Sequence, residues 1–193
     1  MTLYATVIPT PIHELVLAAD ARGAVKHLDF AGKTSSAELL ARLARKGPLE
    51  LDAARCAPAR RQIEEYFAGR RTVFELALDG DGTPFQKLVW AALCAIPFGA
   101  TLSYGALARR LGRPQASRAV GRANGTNPIS LFVPCHRVIG ADGSLTGYGG
   151  GLDVKRALLD FEQGRTSLFP GAMPLRSGAT PPRSPAAGAP ARS

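Results

Sequence analysis

Apolar residues alternate with polar ones, or form short β-rich runs, over the first thirty positions of the chain. Three such segments, LYATVI, ELVLAA and AVKHLDF, are separated by PTP and DARG, which are typical turn sequences. Period-two patterning bounded by turn residues predicts strands, and short connections favour antiparallel neighbours. This region is therefore predicted to be an antiparallel meander.

Helical periodicity follows the meander. Ser35 and Glu38 have the spacing of a capping box at the start of a first helix, and Gly47 stands where a left-handed C-terminal residue is expected. The segment PARRQIEEYFAGR predicts a second helix that ends at Gly69. Its inward face consists of Ile63, Tyr66 and Phe67.

The segment TVFELAL places Phe74, Leu76 and Leu78 on one face of a predicted strand. The polar, glycine-rich sequence DGDGT follows at positions 79–83 and is typical of a domain joint. Residues 1–80 are therefore predicted to form a small α+β domain, and a second domain is predicted over residues 83–166.

The second domain is predicted to be mostly helical. Thr83, Pro84 and Gln86 form a capping box with proline at the first helical position. Trp90 lies off the centre of the apolar stripe that follows, and Cys94 is interpreted as a packing residue. The stripe consists of Phe85, Leu88, Val89, Ala92, Leu93 and Ile96.

A helix-turn-helix is predicted next. Ser103 caps a short helix, Gly112 and Pro114 form a turn, and a second helix runs from about Gln115 to Ala123. The last helix is predicted to begin near Asp153 and end at Gly164, with its buried face formed by Val154, Ala157, Leu158 and Phe161. Residues 167–193 are rich in Pro and Ala and are predicted to be a disordered tail.

The distribution of charge indicates a polyanionic partner. The chain of 193 residues has a formal net charge of +9, which favours nucleic acid or an anionic surface. Positions 82–141 contain no Asp or Glu, and this asymmetry favours contact with DNA phosphates over a merely solvated basic face. The basic residues in this region are Lys87, Arg109, Arg110, Arg113, Arg118, Arg122 and Arg137.

Several classes of protein are disfavoured by the sequence. Its apolar runs are shorter than a membrane span needs, and its start lacks the pattern of a signal peptide. Cys56, Cys94 and Cys135 are odd in number and have no C-x-x-C spacing, so neither a disulfide framework nor a zinc site is expected. We expect a soluble cytoplasmic protein, nucleoid-associated when on DNA, with no cofactor and no metal.

The segment VPCHRVIG contains the most reactive pair of residues in the sequence. A cysteine becomes an effective nucleophile only near a base or a positive field, and Cys135 is followed by His136. In an extended segment the two side chains would point to opposite faces, so either the backbone bends after Pro134 or a water bridges them. The simpler interpretation is a buried structural cysteine beside a histidine bonded to the backbone.

Two further features favour a catalytic interpretation. Glu162 lies in the last turn of a helix, where a negative charge opposes the helix dipole, and a carboxylate of this kind can orient a histidine. A tolerated surface glutamate is the alternative. The segment GADGSLTGYGGG is glycine-rich around Tyr148, which lets a backbone approach a ligand closely or simply turn.

The motifs SYGALA, SRAVGRANGTNP, PCHRVIG and LTGYGGG, followed by a helix with its glutamate, closely resemble those of the O6-alkylguanine-DNA alkyltransferases. This family is also called methylated-DNA-protein-cysteine methyltransferases, and the resemblance covers about residues 85–164. It implies an N-terminal RNase H-like α/β roll and a winged-helix-like second domain. It also implies irreversible, single-turnover repair, in which a methyl or other alkyl group moves from O6 of guanine to the protein's own cysteine.

The resemblance assigns roles to individual positions. Cys135 would be the acceptor, His136 the base acting through a water, and Glu162 the carboxylate that orients the histidine. Tyr104 would protonate or hydrogen-bond the departing guanine, and Asn127 would brace the active-site segment. The substrate pocket would be lined by Val133, Val138, Tyr148, Gly149 and Gly150.

The family also implies how DNA is bound. A monomer would bind duplex DNA with the second helix of the helix-turn-helix in the minor groove, and the target base would be flipped out. Arg118 would be the finger that enters the vacated space. The remaining predicted DNA contacts are Ser103, Tyr104, Arg113, Gln115, Ala116, Ser117 and Arg122.

This chain departs from some relatives in two places. Gly149 stands where some carry serine, and Ser130 stands where some carry proline, so the range of accepted alkyl groups is open, as is activity on O4-alkylthymine. A non-catalytic lesion sensor or a DNA-binding regulator is the alternative function. Sensors that resemble the family lack the acceptor cysteine, which this chain has at position 135.

Overall fold

The structure, a computed structural model, describes residues 1–165. The N-terminal part begins with a meander of β1 (Leu3–Ile8), β2 (Leu15–Ala19) and β3 (Val25–Phe30), paired antiparallel as predicted. A fourth strand, β4 (Leu49–Leu51), pairs parallel to β1, which gives the sheet order β3-β2-β1-β4. The sequence pattern did not predict β4, because its three residues are too few to show a period.

Two helices cover this sheet. Helix α1 (Ser36–Ala44) has the predicted capping box of Ser35 and Glu38, and Leu39 and Leu43 pack with Ala5, Val16 and Ala18 on one face of the sheet. Gly47 is not its left-handed terminal residue, since the helix is capped at Arg45. Helix α2 (Ala57–Phe67) packs on the other face and is followed by Gly69 with a φ of 70°.

The predicted strand over TVFELAL is wrong. Phe74, Leu76 and Leu78 do turn toward the core, but the backbone joins strand β3 only near Leu78. The N–H and carbonyl of Glu75 bond to the amide of Gln62 at 2.8 and 3.0 Å. A side chain thus takes the backbone groups that a neighbouring strand would have used.

The C-terminal part is built from helices and one short parallel ribbon. Helix α3 (Pro84–Cys94) begins with the predicted capping box of Thr83 and Gln86. A two-residue strand β5 (Leu102–Ser103) leads into α4 (Tyr104–Arg110) and α5 (Ser117–Gly125), which form the predicted helix-turn-helix with Gly112 left-handed between them. Strand β6 (Val138–Ile139) pairs with β5, and α6 (Leu152–Glu162) is the last described element.

The buried face of α3 is rotated from the predicted stripe. Leu88 is 44% exposed, whereas Trp90 is buried and its indole N–H donates to the carbonyl of Ala123 on α5 at 2.8 Å. Cys94 is exposed, so its interpretation as a packing residue is wrong. The indole hydrogen bond fixes the rotation because a buried donor needs a partner.

One hydrophobic core is shared by both parts of the chain. It includes Tyr66 and Phe67 of α2, Leu93 of α3, and Leu158 and Phe161 of α6. Within residues 1–165, no helix combines the length and the apolar character that crossing a bilayer requires. The predicted α+β fold class is confirmed, and the predicted tail lies outside the described residues.

Candidate active site

The segment before Cys135 is held by the edge of the N-terminal sheet. Leu28 of β3 donates its N–H to the carbonyl of Pro128 at 2.9 Å, and Ser130 donates to the carbonyl of Leu28 at 2.7 Å. The chain then turns sharply at Leu131, which is fully buried with a φ of 72°. A left-handed conformation is costly for leucine, and such strain is typical of functional segments.

Cys135 begins a one-turn 3-10 helix, Cys135–Arg137, and only 4% of its surface is exposed. The bend after Pro134 therefore exists, although no hydrogen bond joins Cys135 to His136 within the described residues. The amide of Asn127 donates to the sulfur at 3.2 Å and to the carbonyl of Val133 at 2.9 Å. Asn127 thus fixes both the sulfur and the backbone that carries it.

His136 is fully buried and in contact with Glu162 of α6. Its Nε2 lies 2.9 Å from Glu162 Oε1, and its Nδ1 is buried without a partner in the described protein. Because a carboxylate only accepts hydrogen bonds, Nε2 carries the hydrogen and Nδ1 is left with a free lone pair when the ring is neutral. That nitrogen is therefore the basic one.

Five donors converge on the carboxylate of Glu162. Besides His136, they are the hydroxyl of Tyr66 at 2.8 Å, two guanidinium nitrogens of Arg137 at 2.8 Å each, and the N–H of Gly99 at 3.1 Å. Burial by itself would raise the pKa of Glu162, but His136 and Arg137 together hold it well below its ordinary value. The carboxylate is therefore ionised at neutral pH.

The protonation states of the other two groups follow from burial. Burial lowers the pKa of His136, and the neighbouring Glu162 only partly offsets this, so the imidazole is neutral. Burial raises the pKa of Cys135 to about 11, while the hydrogen bond from Asn127 acts in the opposite direction. The resting protein thus pairs a protonated thiol with a neutral histidine.

Arg137 does not belong to the basic surface in which the sequence analysis placed it. It is 5% exposed, bonds to Glu162 and donates to the carbonyl of Ile96 at 2.6 Å. This part of the charge prediction is wrong, because sequence charge does not show which arginine has a buried partner. Tyr66 and Gly99 were also missed, since both lie far from Glu162 in sequence.

A buried lysine closes the glycine-rich loop of residues 140–151. Lys155 of α6 is fully buried and donates to the carbonyls of Val138 at 2.6 Å and Thr146 at 2.8 Å, which ties the middle of the loop to strand β6. Burial lowers its pKa to about 8. Lysine in a predicted amphipathic helix is usually a surface residue, so no sequence pattern indicated this role.

The five predicted pocket residues are differently exposed. Tyr148 is buried with its hydroxyl unpartnered among the described residues, and its ring meets that of His136 edge-on at 6.5 Å between centroids. Gly149 is exposed at the surface beside it. The other three, Val133, Val138 and Gly150, are buried.

The predicted DNA contacts cluster on the helix-turn-helix. Arg118 is exposed and lines an open cleft with Gln115, Ala116 and Arg122. Arg113 is exposed in the preceding turn, and Ser117 begins α5, two residues later than predicted. The hydroxyl of Ser103 is engaged as the cap of α4, and the half-buried Tyr104 donates to the carbonyl of Thr146 at 3.4 Å.

These features define a class of protein with a basic helix-turn-helix suited to DNA and a buried cysteine next to a neutral histidine. Within residues 1–165, no cluster of three His, Cys, Asp or Glu side chains could hold a metal ion. The arrangement is suited to transfer of a group onto the sulfur.

Comparisons with known proteins agree with this class. Residues 3–80 match the family 6-O-methylguanine DNA methyltransferase, ribonuclease-like domain, and residues 84–164 match 6-O-methylguanine DNA methyltransferase, DNA binding domain. The methylated-DNA–protein-cysteine methyltransferase of Methanosarcina barkeri is 45% identical over 161 residues, 83% of this chain and 98% of the relative. Its Mycobacterium bovis counterpart is 60% identical over 104 residues, 54% of this chain and 63% of the relative.

A solved structure gives the same result. Mycobacterium tuberculosis OGT in complex with DNA has a TM-score of 0.74 and 44% identity, covering 86% of this chain and 94% of the other. The chain belongs to the 6-O-methylguanine DNA methyltransferase family. The enzyme class predicted from the sequence, a methylated-DNA-protein-cysteine S-methyltransferase, is confirmed by these relatives.

Proposed function

We propose that this chain repairs duplex DNA by moving a methyl or larger alkyl group from O6 of guanine to the sulfur of its own Cys135, once per molecule. A general role in DNA repair follows from the family. The observation that carries the finer proposal is the arrangement around His136, whose Nε2 is held by an ionised Glu162 and whose Nδ1 is free.

Activation of the sulfur begins with the loss of its proton. A thiol whose pKa is about 11 is almost fully protonated at neutral pH, so the reaction needs a base. His136 takes the proton at Nδ1 through a water, and Glu162 stabilises the imidazolium that forms. The Asn127 amide, already 3.2 Å from the sulfur, stabilises the developing thiolate.

The transfer itself is a displacement at carbon. The Cys135 sulfur attacks the alkyl carbon, a carbon–sulfur bond forms, and the bond between that carbon and guanine O6 breaks. Guanine keeps the electron pair and gains a proton, for which Tyr104 is the proposed donor. The product is a thioether that no neighbouring group can reverse, so turnover stops after one transfer.

The target base must leave the DNA stack, because the acceptor sulfur is almost entirely buried. We assign this step to α5, where Arg118 is exposed and would occupy the vacated space from the minor groove. Arg113 and Arg122 would contact phosphates, which makes binding dependent on salt and little dependent on sequence. The protein would act as a monomer, and O4-alkylthymine is a second candidate substrate.

The decisive experiment is a mass analysis after the full chain is mixed with one equivalent of duplex DNA containing a single O6-methylguanine. We expect one added methyl group on the Cys135 peptide and none in Cys135→Ser. The exposed Cys94→Ser is the matched control, and it should accept one methyl group like the parent chain. Lesion-specific binding without a mass change would instead indicate a non-catalytic sensor.

A further inference from the structure

An acidic side chain of the N-terminal domain lies beside the acceptor site. Asp29 is the residue after Leu28, whose backbone pairs with Pro128 and Ser130 of the active-site segment. The Asp29 carboxylate accepts a hydrogen bond from the Ser130 hydroxyl at 3.3 Å and from the N–H of Phe30 at 3.0 Å. Its position is therefore fixed by both domains.

The same carboxylate faces the glycine-rich loop. A Cβ atom built on Gly149 would lie 3.9 Å from each of the two oxygens of Asp29, in ordinary van der Waals contact. Its charge reaches the acceptor site as well. Burial is the main cause of the raised pKa values of Cys135 and Tyr148, and the negative charge of Asp29 raises both further.

Ser130 and Gly149 both lie next to Asp29. Serine at position 130 supplies the hydroxyl that holds the carboxylate, and glycine at position 149 leaves open the space that a side chain would fill. A carboxylate that contacts Ser130 and faces the exposed Gly149 can accept a hydrogen bond from a ligand and repels a second anion.

We propose that Asp29, Ser130 and the space beside Gly149 form a polar subsite for the far end of the alkyl group. This inference rests on the proposed function. The subsite favours adducts that end in a hydroxyl, such as 2-hydroxyethyl, and disfavours adducts that end in a carboxylate. The chemistry of transfer is unchanged, since the sulfur still displaces guanine O6 from the first carbon and the terminal group is carried along.

The test uses three duplexes that differ only in the adduct on guanine O6, which is methyl, 2-hydroxyethyl or carboxymethyl. Single-turnover rates are measured by intact mass for the full chain, and each rate is divided by the methyl rate of the same variant. Asp29→Asn should raise the carboxymethyl ratio at least about tenfold, because like charges brought together are strongly unfavourable. Asp142→Asn, which removes the same charge from an exposed loop residue bonded to Ser144, should leave both ratios unchanged.

A second variant tests the space beside Gly149 and keeps the charge of Asp29. Gly149→Ser introduces no close contact and the glycine has an ordinary backbone conformation, so this variant should fold. It should lower the hydroxyethyl ratio several-fold by occupying the subsite.

The outcomes separate the two proposals. No transfer from any of the three duplexes would overturn the proposed function itself. Methyl transfer with ratios that are the same in the parent chain, Asp29→Asn and Gly149→Ser would overturn the subsite alone.

Discussion

Replacement of Glu162 by glutamine tests the central ion pair of the site. In the parent chain three donors reach Oε1, namely His136, Tyr66 and one nitrogen of Arg137, and two donors reach Oε2. An amide offers one acceptor oxygen, and its NH2 group would face the remaining N–H donors. At least two hydrogen bonds are lost, and the Arg137 charge is left buried without a counter-charge.

The expected cost follows from these contacts. Hydrogen bonds to a charged group contribute about 1.5–3 kcal/mol each, and removing one partner of a buried ion pair costs about 3–5 kcal/mol. Because the two figures describe the same contacts, we expect Glu162→Gln to lower the free energy of unfolding by about 3–5 kcal/mol in total. The loss is measured by urea denaturation at neutral pH, with folding checked by circular dichroism.

Asp160→Asn is the matched control because it lies on the same helix. Its partner Arg165 is largely exposed, so this variant should lose less than about 1 kcal/mol. Combining Glu162→Gln with Arg137→Met should cost less than the sum of the single changes, since both charges are then removed. Equal losses for Glu162→Gln and Asp160→Asn would refute the reasoning.

Three further predictions concern groups buried or exposed by the fold. Lys155→Met should slow methyl transfer on the order of 100-fold in single-turnover assays, because the loop it ties beside the pocket is released. Burial, with a smaller effect from nearby cations, lowers the pKa of His27 to about 4, so stability should fall by ~2–3 kcal/mol as pH decreases from about 6.5 to about 4. Denaturation at several pH values should show a shallower fall in His27→Leu. Arg122→Ala should reduce the slope of log affinity against log salt by about 1, whereas Arg137→Ala should destabilise the protein without changing that slope.

Local signals in the sequence predicted local structure well. The capping boxes at Ser35 and Thr83 were identified because each needs only residues within one helical turn. The predicted strand over TVFELAL failed because the backbone of Glu75 bonds to the side chain of Gln62, thirteen residues earlier on helix α2. No pattern within the segment itself reports such a partner.

The same distinction applies to charged residues. Arg137 and Arg122 are equivalent in a charge count, yet one is buried against Glu162 and the other is exposed on α5. The difference arises from α6, which brings a carboxylate from 25 positions away. The charge asymmetry therefore correctly predicted DNA as the partner. It did not show which arginines face the DNA.

The sequence by itself determined the helices whose capping signals lie within one turn. It also determined the motif that contains Cys135 and His136, because that motif consists of adjacent residues and does not depend on distant parts of the chain. The tertiary structure decided which groups are desolvated and what they contact. It placed Tyr66, Arg137 and Gly99 around Glu162, Lys155 under the loop, and Asp29 against Ser130. Burial and long-range contact set protonation states and charge pairing, and neither is encoded at any single position of the chain.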